Sequence, residues 1–182
     1  MHGVVMTGLR AFVTEAHSRD TWEEAKEAAG VETEWYTRMA DYPDEEFQAI
    51  YEILVDSVDV SDAELQRAFG QFLFEKLADM YGRVYFDDEW GPLELIDNVE
   101  ETIHQSLKMR DDSGFTPPEL ETELSGDDSL AVLYGSDRHL CEFGKGLIMG
   151  TAEHFEADLE IDEPRCMKDG ADICRIEVRL AG

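Results

Sequence analysis

The chain has 182 residues, of which 43% are hydrophobic and 10% aromatic. This length fits one large domain, and the aromatic content argues against a disordered chain. The 15 Lys and Arg residues against 43 Asp and Glu give a formal net charge of -28, which excludes nucleic acid as a partner because the surface would repel phosphate. The acidic residues are spread along the whole chain. Either solubility or adaptation to high salt explains them, and we favour adaptation to salt.

The sequence has no run of about 18 apolar residues that could span a membrane. The first ten residues lack the basic segment and the cleavage site of a secretory signal. Three cysteines, an odd number, do not make a disulfide framework. We therefore expect a cytoplasmic protein without a membrane partner.

Helical spacing of apolar residues extends over roughly the first 109 residues. Thr21–Glu24 and Ser61–Glu64 have the pattern of capping boxes, and each is predicted to open a helix. The predicted helices are 4 to about 18, 21 to 30, 43 to 58, 61 to 81 and 90 to about 109.

The second half has a mixed pattern. Residues 111–114 read as a turn-rich linker, and the prolines that follow cannot continue a helix. A strand over 130–134, a helix over about 138–155 and two amphipathic strands over 158–162 and 172–180 are predicted. The sequence therefore predicts an α+β fold whose C-terminal half runs strand, helix, strand, strand.

His104 lies on the last predicted helix of the first half, flanked by Ile103. A neutral imidazole is a good axial ligand for haem iron. A single histidine, however, is more often a core or surface residue without a metal. Whether His104 is a haem ligand therefore depends on the other residues that occur with it.

The segment from Tyr134 to Arg138 lies at a predicted junction between strand and helix. In extended backbone, Tyr134, Ser136 and Arg138 project to one side. All three can donate hydrogen bonds to an anion, and Arg suits bidentate capture of a carboxylate. The two propionates of haem fit this trio. The alternative is turn chemistry with a surface ion pair.

Together these features resemble the H-NOX family, the haem nitric oxide/oxygen-binding domain also found in soluble guanylate cyclase. The Tyr-x-Ser-x-Arg stretch begins about thirty residues after His104 and follows Pro117-Pro118. The opening Met1–Val5, the segment 146–155 and the closing Arg165–Met167 are also similar to that family.

The resemblance covers residue 1 to about 180 and implies one H-NOX domain over 1–182. It implies a helical subdomain of about 1–60, followed by a subdomain of about 61–182 with the haem pocket and the sheet. The helical N-terminal half would pack against a C-terminal half with an antiparallel sheet and a long helix, and haem b would be buried between them.

Site residues follow from the same resemblance. His104 would be the proximal iron ligand, and Tyr134, Ser136 and Arg138 would hold the propionates. Pro118 would press on the porphyrin and distort it, which tunes haem electronics. A simple role in stopping a helix fits Pro118 equally.

The distal side decides which gas binds. Oxygen-binding relatives place a tyrosine where this chain has Phe143, which has no hydrogen-bond donor. The other distal positions that the resemblance implies are also apolar, although ordinary core packing fits them too: Val5, Leu9, Leu73 and Leu147. Because NO depends on a donor far less than O₂, we expect a nitric oxide sensor that also binds CO.

The resemblance implies a two-state switch and no enzymatic activity. NO would weaken the iron bond to His104 on the opposite face, and the two halves would then move. The signal would pass to a separate protein. In this family such partners include histidine kinases, cyclic-dinucleotide enzymes and chemotaxis transducers.

The cysteines suggest a second site. Some H-NOX relatives bind structural zinc with four cysteines, and Cys141, Cys166 and Cys174 match three of those positions. Glu163 falls at the fourth, and zinc accepts carboxylates less often in structural sites. Buried free thiols, or a redox pair of Cys166 and Cys174, are the alternatives.

Two other classes of function compete. The C-terminal half also resembles a 4-vinyl reductase-like domain, which would bind a small molecule and carry a cysteine or zinc site without haem. Such a domain would not require His104 or the Tyr-x-Ser-x-Arg trio. An interaction module with a vestigial pocket is the third class. The intact ligand set favours the H-NOX interpretation over both.

Overall fold

The computed structural model describes residues 1–105 and 117–181. The predicted linker at 111–114 and the end of the helix predicted to reach residue 109 lie outside these ranges. The described residues divide into two compact units. Met1–Leu65 belongs to the first unit, and 66–105 and 117–181 belong to the second.

The first unit is helical. Its first three helices are α1 (Gly3–Ala16), α2 (Arg19–Ala28) and α3 (Asp44–Ser57). Helix α2 contacts both α1 and α3. The largest fully buried side chains in this unit are all apolar, namely Trp22, Met6, Leu9, Ile50 and Leu54.

Helix α2 begins earlier than predicted. The Ser18 hydroxyl caps it by accepting a hydrogen bond from the Thr21 amide at 3.0 Å. The prediction that Thr21 opens the helix was wrong, because a capping side chain reaches the amide three residues further on. The predicted stop is confirmed, since α2 ends at Ala28 and Gly30 follows with a φ of 66°.

Helix α4 (Asp62–Tyr85) begins in the first unit and continues into the second. The predicted capping box at its start is confirmed. The Ser61 amide donates to Glu64 Oε2 at 2.9 Å, and the Glu64 amide donates to Ser61 Oγ at 3.3 Å. The helix continues past its predicted end at Tyr81.

The second unit contains a four-stranded antiparallel sheet with the order β1-β2-β4-β3. Its strands are β1 (Glu119–Leu124), β2 (Ser129–Gly135), β3 (Leu159–Arg165) and β4 (Cys174–Leu180). The last three confirm the predicted strands, whereas the prediction missed β1. Half of β1 is glutamate, a residue depleted in strands, and these glutamates are exposed.

Two helices pack against this sheet, namely α5 (Pro92–Asn98) and α6 (Cys141–His154). A π-helical turn, Val99–His104, continues α5. The core between helices and sheet consists of alternate residues of β2 and β4 together with helical side chains: Leu93, Ile96, Leu130, Val132, Ile148, Ile176 and Val178.

Helices α4 and α6 touch backbone to backbone. A Cβ added at Gly70 would collide with the carbonyl oxygen of Phe143, and one at Gly146 would collide with that of Arg67. This close approach places the Phe143 ring 5.0 Å from the ring of Phe69. Two glycines therefore set the position of a residue assigned to the distal pocket.

The predicted α+β class is confirmed, with helices in the N-terminal half and an antiparallel sheet in the C-terminal half. Among the described residues, no helix combines the length and the apolar character that crossing a membrane requires.

Candidate functional site

Strand β2 ends at Gly135, just inside the Tyr-x-Ser-x-Arg stretch. The next residues form a turn, in which the His139 amide donates to the Ser136 carbonyl at 3.1 Å. The Ser136 hydroxyl accepts from the Arg138 amide at 3.3 Å. Arg138 therefore does not lie on extended backbone as predicted, because the Ser136 hydroxyl accepts a local backbone hydrogen bond and stabilises a turn instead of a strand.

The turn nevertheless brings the three side chains together. Tyr134 is buried, and burial raises the pKa of its phenol, while a hydrogen bond with Ser136, one with the Leu140 backbone and the charge of Arg138 act in the opposite direction. The phenol is therefore neutral and able to donate at physiological pH. His139 adopts a left-handed φ of 52°, which turns the chain towards α6.

His104 is the last residue of the π-helical turn, and its side chain is only 16% exposed. Its Nδ1 lies 2.7 Å from Glu100 Oε2. Since a carboxylate can only accept, Nδ1 donates this hydrogen bond, and in the neutral form of the ring it is Nδ1 that carries the proton. Nε2 is then the ring nitrogen with a lone pair for a metal.

The residues assigned to the distal pocket lie on three helices. Val5 and Leu9 are one turn apart on α1 in the first unit. Leu73 lies on α4, and Phe143 and Leu147 lie on α6, in the second unit. Leu9 and Leu73 are buried and the other three are half-buried.

Pro118 is half-buried and directly precedes β1. Proline fits there because the first residues of an edge strand need not donate to the sheet.

The three cysteines form one buried cluster with Glu163. Cys166 Sγ lies 3.6 Å from Cys141 Sγ and 3.8 Å from Cys174 Sγ. A carboxylate oxygen of Glu163 and the three sulfur atoms all lie within 4.8 Å of one another. The ends of α6, β3 and β4 thus place four potential metal ligands together.

Burial raises the pKa of the Cys141 thiol, and it raises that of Cys174 to about 11. Glu163 Oε2 accepts a hydrogen bond from Lys145 Nζ at 2.7 Å. Glu163 Oε1 is buried and has no hydrogen-bond partner among the residues that the structure describes. A buried acceptor needs a partner, and a divalent cation held with the thiolates would supply one.

The two candidate sites adjoin each other. Tyr134 of β2 pairs directly with Cys174 of β4. The same packed cluster contains Cys141 and Cys166. This adjacency could not be predicted from local sequence, because it depends on the register between two strands that are far apart in the chain. Glu100 was not predicted either, although its position four residues before His104 was a usable signal.

A family model described as haem-NO-binding matches residues 2–163. The chain therefore belongs to the haem-NO-binding, or H-NOX, family, as the resemblance predicted. Domains of this family are gas sensors, so haem-based gas sensing is the general class of its function. The match favours this class over the vinyl reductase-like alternative.

Solved H-NOX structures share the fold. An H-NOX protein from S. oneidensis in the Fe(II)NO ligation state is 25% identical, with a TM-score of 0.91 over 100% of both chains. The unliganded Fe(II) H-NOX protein from K. algicida is 24% identical, with a TM-score of 0.87 over 100% of this chain and 97% of that one. An oxygen-binding H-NOX domain related to soluble guanylate cyclases is 20% identical, with a TM-score of 0.84 over 100% of this chain and 96% of that one. The last two show similarity of fold alone. No protein of curated function matches the chain in sequence.

Proposed function

We propose that this chain binds haem b through His104 and senses nitric oxide. The observation that carries the proposal is the donor set at the end of β2, where Tyr134, Ser136 and Arg138 gather in one turn. A neutral phenol, a hydroxyl and a guanidinium match the hydrogen-bonding needs of two propionates. Family membership makes haem the group that such a donor set would hold.

When bound, haem supplies the iron that takes up a diatomic gas. His104 Nε2 would be the protein ligand of that iron, since Nδ1 is engaged by Glu100. Pro118 would contact the haem from the segment before β1 and so tune its electronic properties.

The residues proposed for the distal side offer no hydrogen-bond donor from their side chains. Phe143, Leu147 and Leu73 are hydrocarbon at every side-chain atom, as are Val5 and Leu9. Stable binding of O₂ gains from a donated hydrogen bond, whereas NO and CO depend on one far less. This composition supports selectivity for NO over O₂.

His104 would transmit the signal. It ends a π-helical turn, a kind of distortion found frequently at functional sites, and this turn would carry a change at the haem into the rest of the chain. The helical subdomain of about 1–60 would then move against the subdomain of about 61–182. A separate cytoplasmic signalling protein, such as a histidine kinase, a cyclic-dinucleotide enzyme or a chemotaxis transducer, would read the change without catalysis by this chain.

The experiment that tests the proposal is expression with ample haem, followed by absorption spectroscopy of the wild type and of His104→Gly. We expect a red wild-type protein. In the variant, haem should be lost, or its native spectrum should return only with added imidazole. His17→Gly, at an exposed position after α1, is the control and should keep the native spectrum. A colourless wild type, or an unchanged spectrum in His104→Gly, would refute the proposal.

We further propose that Cys141, Cys166, Cys174 and Glu163 bind structural zinc. The support is the grouping of their ligand atoms and the unpartnered Glu163 Oε1. Zinc would add a further link between α6, β3 and β4, beside the β3–β4 hydrogen bonds and the ion pair of Lys145 with Glu163.

Metal analysis of protein purified without chelator should give one zinc per chain. Cys174→Ala should abolish binding, and Glu163→Ala should weaken it by roughly 10-fold or more, since one ligand of four is removed. Glu160→Ala, an exposed change on the same strand, should retain full zinc. Zinc-free wild-type protein with three titratable thiols would favour the free-thiol alternative instead.

A further inference from the structure

Glu100 lies four residues before His104 on the π-helical turn. The two side chains are partly buried, with 25% and 16% of their surfaces exposed, and their polar atoms are 2.7 Å apart. The backbone also joins this region, because the Gln105 amide donates to the Glu100 carbonyl five residues earlier. Backbone and side chain together hold the carboxylate against the imidazole.

A carboxylate on the second nitrogen of a ligating imidazole has two effects. It fixes the tautomer and the orientation of the ring, and it increases the electron density that the other nitrogen donates to a metal. The effect is stronger in a partly buried site than in water, because the local dielectric constant is lower.

We infer that Glu100 is a positioning residue that strengthens the donation of His104 to haem iron and so opposes release of His104. This inference rests on the proposed function, since it needs haem ligated by His104. Hydrogen bonding to an axial ligand is one of the ways by which a protein sets the properties of haem. Glu100 thereby sets how readily NO triggers the switch.

Three properties of the haem-loaded variant Glu100→Gln test the inference, namely the Fe–His stretching frequency, the reduction potential and the proportion of NO-treated protein that has released His104. A neutral amide oxygen accepts the hydrogen bond from Nδ1 less strongly than a carboxylate does, so the imidazole would donate less electron density to the iron. We therefore expect a lower stretching frequency and a higher reduction potential. The equilibrium for release of His104 should shift by about 10-fold towards the released form.

Glu101→Gln is the matched control, because it removes the same charge from the neighbouring, exposed position of the same turn. It should leave the stretching frequency at the wild-type value. Glu100→Asp keeps the charge on a shorter side chain and should give values between those of the wild type and Glu100→Gln. Circular dichroism confirms that each variant is folded.

Two results would overturn the inference. Wild-type values in haem-loaded Glu100→Gln, while His104→Gly still alters the spectrum, would refute it and leave the proposed function intact. A wild type that takes up no haem, or a spectrum that does not depend on His104, would refute the proposed function and this inference with it.

Discussion

Phe143 lies half-buried on α6 with its ring 5.0 Å from that of Phe69, and its side chain would offer no hydrogen-bond donor to the proposed distal pocket. We expect Phe143→Tyr to increase O₂ affinity by about 2- to 10-fold, which corresponds to one hydrogen bond of about 0.5–1.5 kcal/mol. The measurement is the lifetime and saturation of the oxygenated spectrum of the ferrous protein in air.

Phe143→Leu is the control for this change, because it alters the packing without adding a donor. It should leave O₂ binding as weak as in the wild type. A stable oxygenated wild type would contradict the assignment of an apolar distal side.

Charged side chains fix Glu163 in the cysteine cluster. Lys145 contacts both Glu163, at 2.7 Å, and Glu142, at 2.6 Å, and Arg67 also pairs with Glu142. Burial alone would raise the pKa of Glu142, but the hydrogen bonds from Lys145 and Arg67 lower it below its ordinary value. The Glu142 carboxylate therefore remains ionised at neutral pH, and a half-buried network ties α4 and α6 to the edge of the cluster.

At the level of secondary structure elements, the contact between α4 and α6 depends on glycine. A methyl group at Gly146 would collide with the Arg67 carbonyl, which belongs to the backbone and cannot rotate away. We expect Gly146→Ala to lower the free energy of unfolding by roughly 1–3 kcal/mol, the usual cost of overpacking. Chemical denaturation of the purified protein measures this loss.

Gly144→Ala is a matched control on the same helix. A Cβ at Gly144 meets nothing within 4 Å, so alanine should stabilise the helix by about 0.5–1 kcal/mol. Equal stability of the two variants would contradict the close approach of α4 and α6.

At the scale of the whole molecule, the net charge of -28 makes self-repulsion a general term in stability. Added NaCl shortens the Debye length from about 10 Å at 0.1 M to about 3 Å at 1 M, so the repulsion should fall. We expect the thermal midpoint of unfolding to rise over this range, as a salt-adapted protein requires. Differential scanning calorimetry at several NaCl concentrations checks this.

The control is a variant that carries fewer surface carboxylates. This triple variant combines three changes at exposed positions, Glu24→Gln, Glu27→Gln and Glu121→Gln. Its thermal midpoint should rise less with NaCl than that of the wild type. A midpoint that is independent of NaCl in the wild type would favour the interpretation of the acidity as simple solubility.

Much of the fold could be predicted because helical periodicity is a local property. The helices of the N-terminal half and the strands β2, β3 and β4 each carry their own apolar pattern, and each is present in the structure. Strand β1 was missed because its apolar residues are few and pairing with β2 determines its conformation. The start of α2 was displaced because several residues near Ser18 could serve as the cap.

The sequence by itself determined which types of residue are available to each site and to which family the chain belongs. The joint spacing of His104, Pro117-Pro118 and the Tyr-x-Ser-x-Arg stretch carried that resemblance. Hydrogen-bonding capacity and metal preference are properties of the side chains, so they can be read from the chain without coordinates.

Only the tertiary structure decided which of these residues meet. The pairing of Tyr134 with Cys174, the grouping of Glu163 with three thiols and the contact of α4 with α6 all join residues that are distant in sequence. Strand register and backbone approach produce them, and both depend on packing that no local pattern encodes.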